Sequence, residues 1–182
     1  MPPRQIVRLG HPSLRVPAQA LDPARIESAE IQELIDDLVA AMREAQGVGL
    51  AAPQVGEEIQ LFVSDPAGGA DPAAVRVVIN PMLTPLPGEL VYDWEGCLSI
   101  PGLRGLVPRH PAVRVRGLDR TGAPLDAVVE GLEARIVQHE NDHLNGVVFL
   151  DRMRDLRSLA FFEEWQLYLR GEQEPAEEPT VG

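Results

Sequence analysis

The chain has 182 residues, a formal charge of −12 from 28 Asp+Glu against 16 Lys+Arg, and a single cysteine, Cys97; every one of the sixteen basic residues is arginine. This is the length of one ordinary domain with a self-sufficient core. One cysteine excludes a disulfide scaffold and favours a reducing compartment, while the acidic balance argues against nucleic-acid binding through net charge, direct DNA binding included. Met1 to Gly10 carry no continuous apolar core of the kind a signal peptide needs, and no apolar run approaches the ~20 residues that span a bilayer. The expected setting is therefore cytoplasmic, with no membrane partner.

Residues 1–25 are Pro-rich and aperiodic, and Pro12, Pro17 and Pro23 break any helix there. Ser28 reads as an N-cap for an amphipathic helix with Ile31, Leu34, Ile35, Leu38, Val39 and Met42 on one stripe, ended by Gly47. The stretch Gly47-Val48-Gly49-Leu50-Ala51-Ala52-Pro53-Gln54-Val55-Gly56 is too Gly-rich for a helix and too apolar for a solvated loop. It predicts a buried loop or sheet edge where something approaches the backbone closely. Residues 59–63 and 75–79 read as strands joined by a loop. Residues 85–96 mix Pro, Gly and charge, and a short apolar segment, 95–101, surrounds Cys97.

In 112–118, Val113 and Val115 alternate with Arg114 and Arg116, as in a half-exposed strand; a turn at Asp119 to Gly122 leads to a further strand over 125–130. From Leu132 the period becomes helical, with Leu132, Ile136, His139, Glu140 and His143 on one face that should be buried, and Asn145-Gly146 stopping it. A last helix is predicted over 155–170, burying Leu156, Leu159, Phe162, Trp165 and Leu169. Residues 171–182, with four Glu and no basic residue, read as a disordered acidic tail; without those four charges the remaining domain, 1–170, still carries −8. Helix, short strands, then helices indicate an α+β domain.

His139-Glu140-Asn141-Asp142-His143 is an HExxH sequence. Residues four apart lie one turn apart on a helix, so both imidazoles can reach one ion, and Glu140 can reach a bound water without being a ligand. Two buried histidines and a buried glutamate would be costly without a partner. Such a site needs a third protein ligand. Glu163 or Glu164, about twenty residues on, is one candidate, as in zincin-like peptidases. Cys97 is the other; it also reads as a small buried hydrophobe or as a nucleophile with a histidine base. As a ligand it accounts for Cys97, His139, Glu140 and His143 together. A binding protein with a purely structural metal site is a further reading, although no fourth protein ligand lies nearby.

Three segments resemble the motifs of peptide deformylases: Gly47-Val48-Gly49-Leu50-Ala51-Ala52-Pro53-Gln54, then Glu95-Gly96-Cys97-Leu98-Ser99, then Gln138-His139-Glu140-Asn141-Asp142-His143-Leu144. They stand in the family's order, and the likeness runs from about residue 5 to 155. The resemblance implies small mixed and antiparallel sheets packed around a central HExxH-bearing helix, with an N-terminal and a C-terminal helix, in one catalytic domain. It implies removal of the formyl group from the N-terminal formylmethionine of new polypeptides, releasing formate. The metal ligands would be Cys97, His139 and His143, holding Fe(II), with zinc, nickel or cobalt able to substitute. Glu140 would serve as general base and acid, and the Gln54 amide and Leu98 backbone N–H would stabilise the oxyanion.

By the same resemblance Gly49 lets the substrate backbone lie close, and Val48, Leu132, Ile136 and the His139 ring form the methionine pocket. Glu95 and Arg104 lie among the substrate-binding positions, and Arg109 pairs with Glu95. Asp142 is either a group orienting a ligand or a surface charge, and His11 and His110 are expected at the surface. Trp94 stands where the family commonly has a small or acidic residue, at the pocket rim. The implied partners are N-formylmethionyl nascent peptides and, transiently, the ribosome, met by a monomer. The Glu-rich end, repelled by rRNA, is unlike the basic C-terminal helix through which some deformylases touch the ribosome.

Overall fold

The computed structural model describes residues 4–69 and 75–170, so the expectation of a disordered tail over 171–182 lies outside the described residues. Ser28 accepts a hydrogen bond from the Ile31 N–H and opens α1 (Ala29–Glu44). Ile31, Leu34, Ile35, Leu38 and Met42 form its buried stripe, and Val39 is half-buried beside it. The helix ends ahead of Gly47. Gln46 takes the left-handed conformation at φ 54°, and the Gly47 N–H returns to the Met42 carbonyl at 2.8 Å.

Among the described residues eight strands follow the first helix: β1 (Gly49–Ala51), β2 (Leu61–Ser64), β3 (Arg76–Pro85), β4 (Val91–Cys97), β5 (Ile100–Arg109), β6 (Ala112–Leu118), β7 (Pro124–Glu130) and β8 (Ala160–Phe161). All their pairings are antiparallel, in a five-stranded sheet ordered β1-β2-β3-β6-β7 and a three-stranded sheet ordered β4-β5-β8. The architecture is thus mixed helix and antiparallel sheet, as the sequence predicts. The Gly-rich stretch does form a sheet edge, β1, followed by a 3-10 turn over Ala52–Val55.

Alternation along β2 places the larger sheet between two helices. Leu61 and Val63 join Leu50 and Ile79 under α1, while Phe62 joins Val78, Val113, Val115 and Val129 on the opposite face. That second face receives Ala134, Val137 and Leu144 of α2 (Gly131–Leu144). A smaller core of Cys97, Ile100, Val107, Val148 and Phe149 lies where the three-stranded sheet meets α3 (Phe149–Arg152).

Three expectations are corrected. Residues 85–101, where the sequence predicts no strand, contain all of β4 and the start of β5. Pro101, Gly102, Gly105 and Pro108 hide β5 from pattern reading; β8 pairs only with Leu103 and Arg104, so both prolines sit where β5 is an edge. Leu132 is 60% exposed, because α2 starts there, before its apolar face meets the sheet. No single helix spans 155–170. Leu156 is 66% exposed and precedes β8, and helical chain begins only at α4 (Phe162–Glu164), continued by a π-helical turn over Trp165–Leu169. Leu159, Phe162, Trp165 and Leu169 are half-buried. Among the described residues no helix is long and apolar enough to cross a membrane.

Candidate metal centre

His139 and His143 stand one turn apart on α2, their ring centroids 5.1 Å apart at 75°. Cys97 comes from the other sheet. It is the last residue of β4, placed just after a register shift at Gly96 and opposite Ile100 across a tight turn. That bulge aims the thiol at the helix, and Cys97 Sγ lies 3.3 Å from His143 Nε2. Ligand atoms of Cys97, His139 and His143 all fall within 4.8 Å of one another. A tetrahedral ion would set sulfur–nitrogen separations of about 3.6 Å, so this buried thiol with two imidazoles could hold a divalent metal. It is the one such His, Cys, Asp and Glu group among the described residues. Glu163 and Glu164 are exposed and outside it.

The orientation of His139 is set by a buried ionic chain. Its Nδ1 lies 2.9 Å from Glu95 Oε2; the carboxylate only accepts, so Nδ1 carries the proton and Nε2 keeps its lone pair for the thiol side. Arg109 grips Glu95 with two hydrogen bonds of 2.8 and 2.9 Å, and its third contact is Asp142 at 2.6 Å. Arg152 closes the chain on Asp142. Burial alone would raise the Glu95 carboxyl, but the hydrogen bonds from Arg109 and His139, with the Arg109 charge, hold it well below the usual carboxylate range.

The expected Arg109–Glu95 pairing is therefore present. The Glu95 carboxylate is 5% exposed and held by Arg109 and His139, and Glu95 also lines the cleft that opens over the site. Asp142 is 4% exposed and belongs to the chain rather than to the surface. Arg135 was missed. Its guanidinium donates to Glu95 and to the carbonyls of Val91 and Val107, tying α2 to β4 and β5. Its signal was available: it precedes His139 by four residues, on the face read as apolar.

Glu140 is 4% exposed, and its Oε2 has no hydrogen-bond partner. Burial, reinforced by the charges of Glu95 and Asp142 and opposed by those of His139 and Arg109, pushes its carboxyl up to about 7. It packs against β1 at Gly49. A side-chain carbon there would lie 2.8 Å from Glu140 Cδ and 2.9 Å from Cγ, so any residue but glycine would displace the Glu140 side chain. Gln54 is 1% exposed. Its carbonyl accepts from the Ala51 N–H at 2.8 Å, which turns its amide toward Cys97 Sγ and Ser99 Oγ at 3.5 and 3.3 Å.

A cleft of about 450 Å³ opens over these groups. Val48, Leu132, Ile136 and the His139 ring make its apolar side, and Leu98, Arg104 and Trp94 also line it. Leu132 contributes as an exposed rim residue. His11 is exposed and caps the turn at Pro12–Leu14. His110 is half-buried, with an unpartnered Nδ1, so it is not a plain surface residue.

The chain matches the family model for polypeptide deformylase over residues 3–158. It is 42% identical over 163 residues to peptide deformylase 1 of Nitrosomonas europaea, covering 87% of this chain and 92% of that one. Its structure is similar to a peptide deformylase from Synechococcus elongatus in complex with actinonin, with a TM-score of 0.80, 42% identity and coverage of 85% and 83% of the two chains. A Met-Ala-Ser-bound class I type b peptide deformylase from Acinetobacter baumannii gives 0.76, 33%, 83% and 98%. The cleft, the Cys–His–His group and these likenesses agree, and the chain belongs to the polypeptide deformylase family.

Proposed function

We propose that Cys97, His139 and His143 hold the metal of this deformylase and that Glu140 moves the proton as the formyl group leaves the N-terminus of a nascent polypeptide. The chain is a metal-dependent hydrolase that removes N-terminal formyl groups. The observation that carries the residue assignment is one buried grouping: three ligand atoms within 4.8 Å, with the unpartnered Oε2 of Glu140 on the same helix turn.

A divalent metal bound there supplies a Lewis acid that activates water and polarises the formyl oxygen. The protein supplies the rest. Val48, Ile136, Leu132 and the His139 ring receive the methionine side chain, and Gly49 leaves space for Glu140 and for substrate backbone in the same corner. Glu140 accepts the proton of the attacking water and passes it to the departing amine nitrogen, with formate as the other product. The Gln54 amide, turned by its bond to Ala51, and the Leu98 N–H donate to the negative charge developing on the formyl oxygen. Arg104 meets the peptide beyond its first residue. Glu95, Arg109 and Asp142 keep His139 in one tautomer.

Fe(II) is the proposed native metal, with zinc, nickel or cobalt as substitutes; an N₂S donor set suits several of these ions. The same reading has both sheets built around the helix bearing His139 and His143, in one catalytic domain over 1–170. It places the enzyme in the cytoplasm as a monomer that meets formylmethionyl chains near the ribosome. The test is formate release from a formyl-Met peptide by protein prepared without oxygen, with metal analysis beside it. Glu140→Gln should keep its metal and lose about 10²–10⁴-fold in turnover, and Cys97→Ala should lose its metal. Full activity of the first, or full metal affinity of the second, would overturn the assignments.

A further inference from the structure

The last described segment returns to the cleft. β8 pairs with β5 in a register that sets Phe161 opposite Leu103 and Ala160 opposite Arg104. Phe162 and Trp165 then fold over Arg104. Its Cζ lies 4.7 Å from the Phe162 ring centre and 6.0 Å from that of Trp165. The two rings stack at 5.7 Å and 24°, and Trp94 of β4 meets Trp165 edge-on at 6.1 Å.

Arg104 lines the cleft, and its polar partner is one backbone carbonyl, Leu103 O at 2.9 Å. It has no carboxylate partner among the described residues. A side-chain carbon at Gly96 would run into this guanidinium, which therefore sits close against Gly96, next to Cys97. A half-buried cation without a counter-charge is costly, and aromatic faces are the groups that offset that cost here. Four of its five N–H donors have no protein acceptor among the described residues, and the group borders the cleft that would receive the peptide.

We propose that Phe162 and Trp165 are positioning residues that hold Arg104 at the cleft mouth, so that the C-terminal segment selects peptides with an acidic side chain beyond the formylmethionine. The inference rests on the reading of Arg104 as a substrate contact. Trp94 braces Trp165 from the other side, which gives the departure at that position a purpose. The selection works against the chain's overall charge of −12, so any preference for an acidic peptide is local in origin.

The test compares KM for formyl-Met-Ala-Glu-amide and formyl-Met-Ala-Lys-amide in the metal-loaded full chain. Wild type should favour the Glu peptide about five-fold, the size of a good exposed ion pair, with kcat nearly equal for the two. Arg104→Ala should abolish the preference. Phe162→Leu and Trp165→Leu should abolish it as well, with kcat within two-fold and an unchanged far-ultraviolet spectrum, and Trp165→Phe should restore it. A preference lost in Arg104→Ala yet intact in both leucine variants would overturn the positioning role and leave Arg104 as a contact. A wild type without preference, matched by Arg104→Ala in KM, would overturn the Arg104 reading and the proposal with it.

Discussion

Gly49→Ala isolates the contact between β1 and the Glu140 carboxylate. The new carbon would sit 2.8 Å from Glu140 Cδ and 2.9 Å from Cγ, where ordinary contact begins at 3.4 Å. Gly49 lies in an extended strand and is not among the positive-φ glycines, so the backbone itself accepts alanine. The strand is pinned on its other side by β2 through Ala51↔Phe62 and Leu50↔Val63, and α2 is anchored by Ala134, Val137 and Leu144. The side chain of Glu140 is therefore the part that yields, and its carboxylate retreats by roughly 1 Å, a displacement that can cost about 10²-fold in rate. That factor corresponds to about 2.7 kcal/mol of barrier. The assay is kcat for formate release at saturating formyl-Met peptide, with metal content measured on the same sample. Metal content should stay at the wild-type level, since the atoms nearest the new carbon all belong to Glu140 and not to Cys97, His139 or His143. A variant with kcat within two-fold of wild type would refute the claim that this contact places Glu140.

Two further predictions concern the buried charges. Arg109→Leu removes the buried cation that bridges Glu95 and Asp142, leaving Glu95 to Arg135 and His139 and Asp142 to Arg152 alone; losing one partner of such a buried grouping costs about 3–5 kcal/mol. Thermal unfolding should shift down by about 6–20 °C for a chain of this size, and a shift under 3 °C would contradict the role given to Arg109. The acid side of the pH–rate profile should follow Glu140, which must be ionised to accept a proton, so activity rises with pH through its pKa. Burial places that carboxyl at about 7; a bound cation favours the charged form, so the limb in the loaded enzyme should lie below 7 and vanish in Glu140→Gln. A limb at or above 7 would be the wrong sign.

Much of the site was legible in the sequence, for a local reason. The pairing of His139 with His143 follows from helical period alone, as does the neighbouring position of Glu140. The stripe of α1 and the alternation of β6 were readable because their periods of 3.6 and 2 are each carried by a few adjacent residues. β5 was not readable: prolines and glycines erased its alternation, and its strand geometry is imposed by pairing with β4. The C-terminal segment failed in the opposite way. Leu156, Leu159, Phe162, Trp165 and Leu169 have helical spacing, yet spacing does not say what surface a residue meets, and here the chain stops to add β8 to a distant sheet.

Roles that depend on long-range approach divided along the same line. The resemblance to deformylases pointed to Cys97 and Gln54, and the fold brings them together: a bulge at Gly96 aims the thiol, and the Ala51 N–H turns the amide. Arg135 signalled itself through its spacing from His139, but its contacts, the commitment of Asp142 and the ion-paired carboxylate of Glu95 became visible only once α2 lay across β4. By itself the sequence determined which chemistry is available, because residue types and one-turn spacings are local properties. The tertiary structure decided which groups face the cleft and which are spent inside the protein. Burial and ion pairing are set by whatever other segment arrives alongside, and the residues themselves do not encode that neighbour at short range.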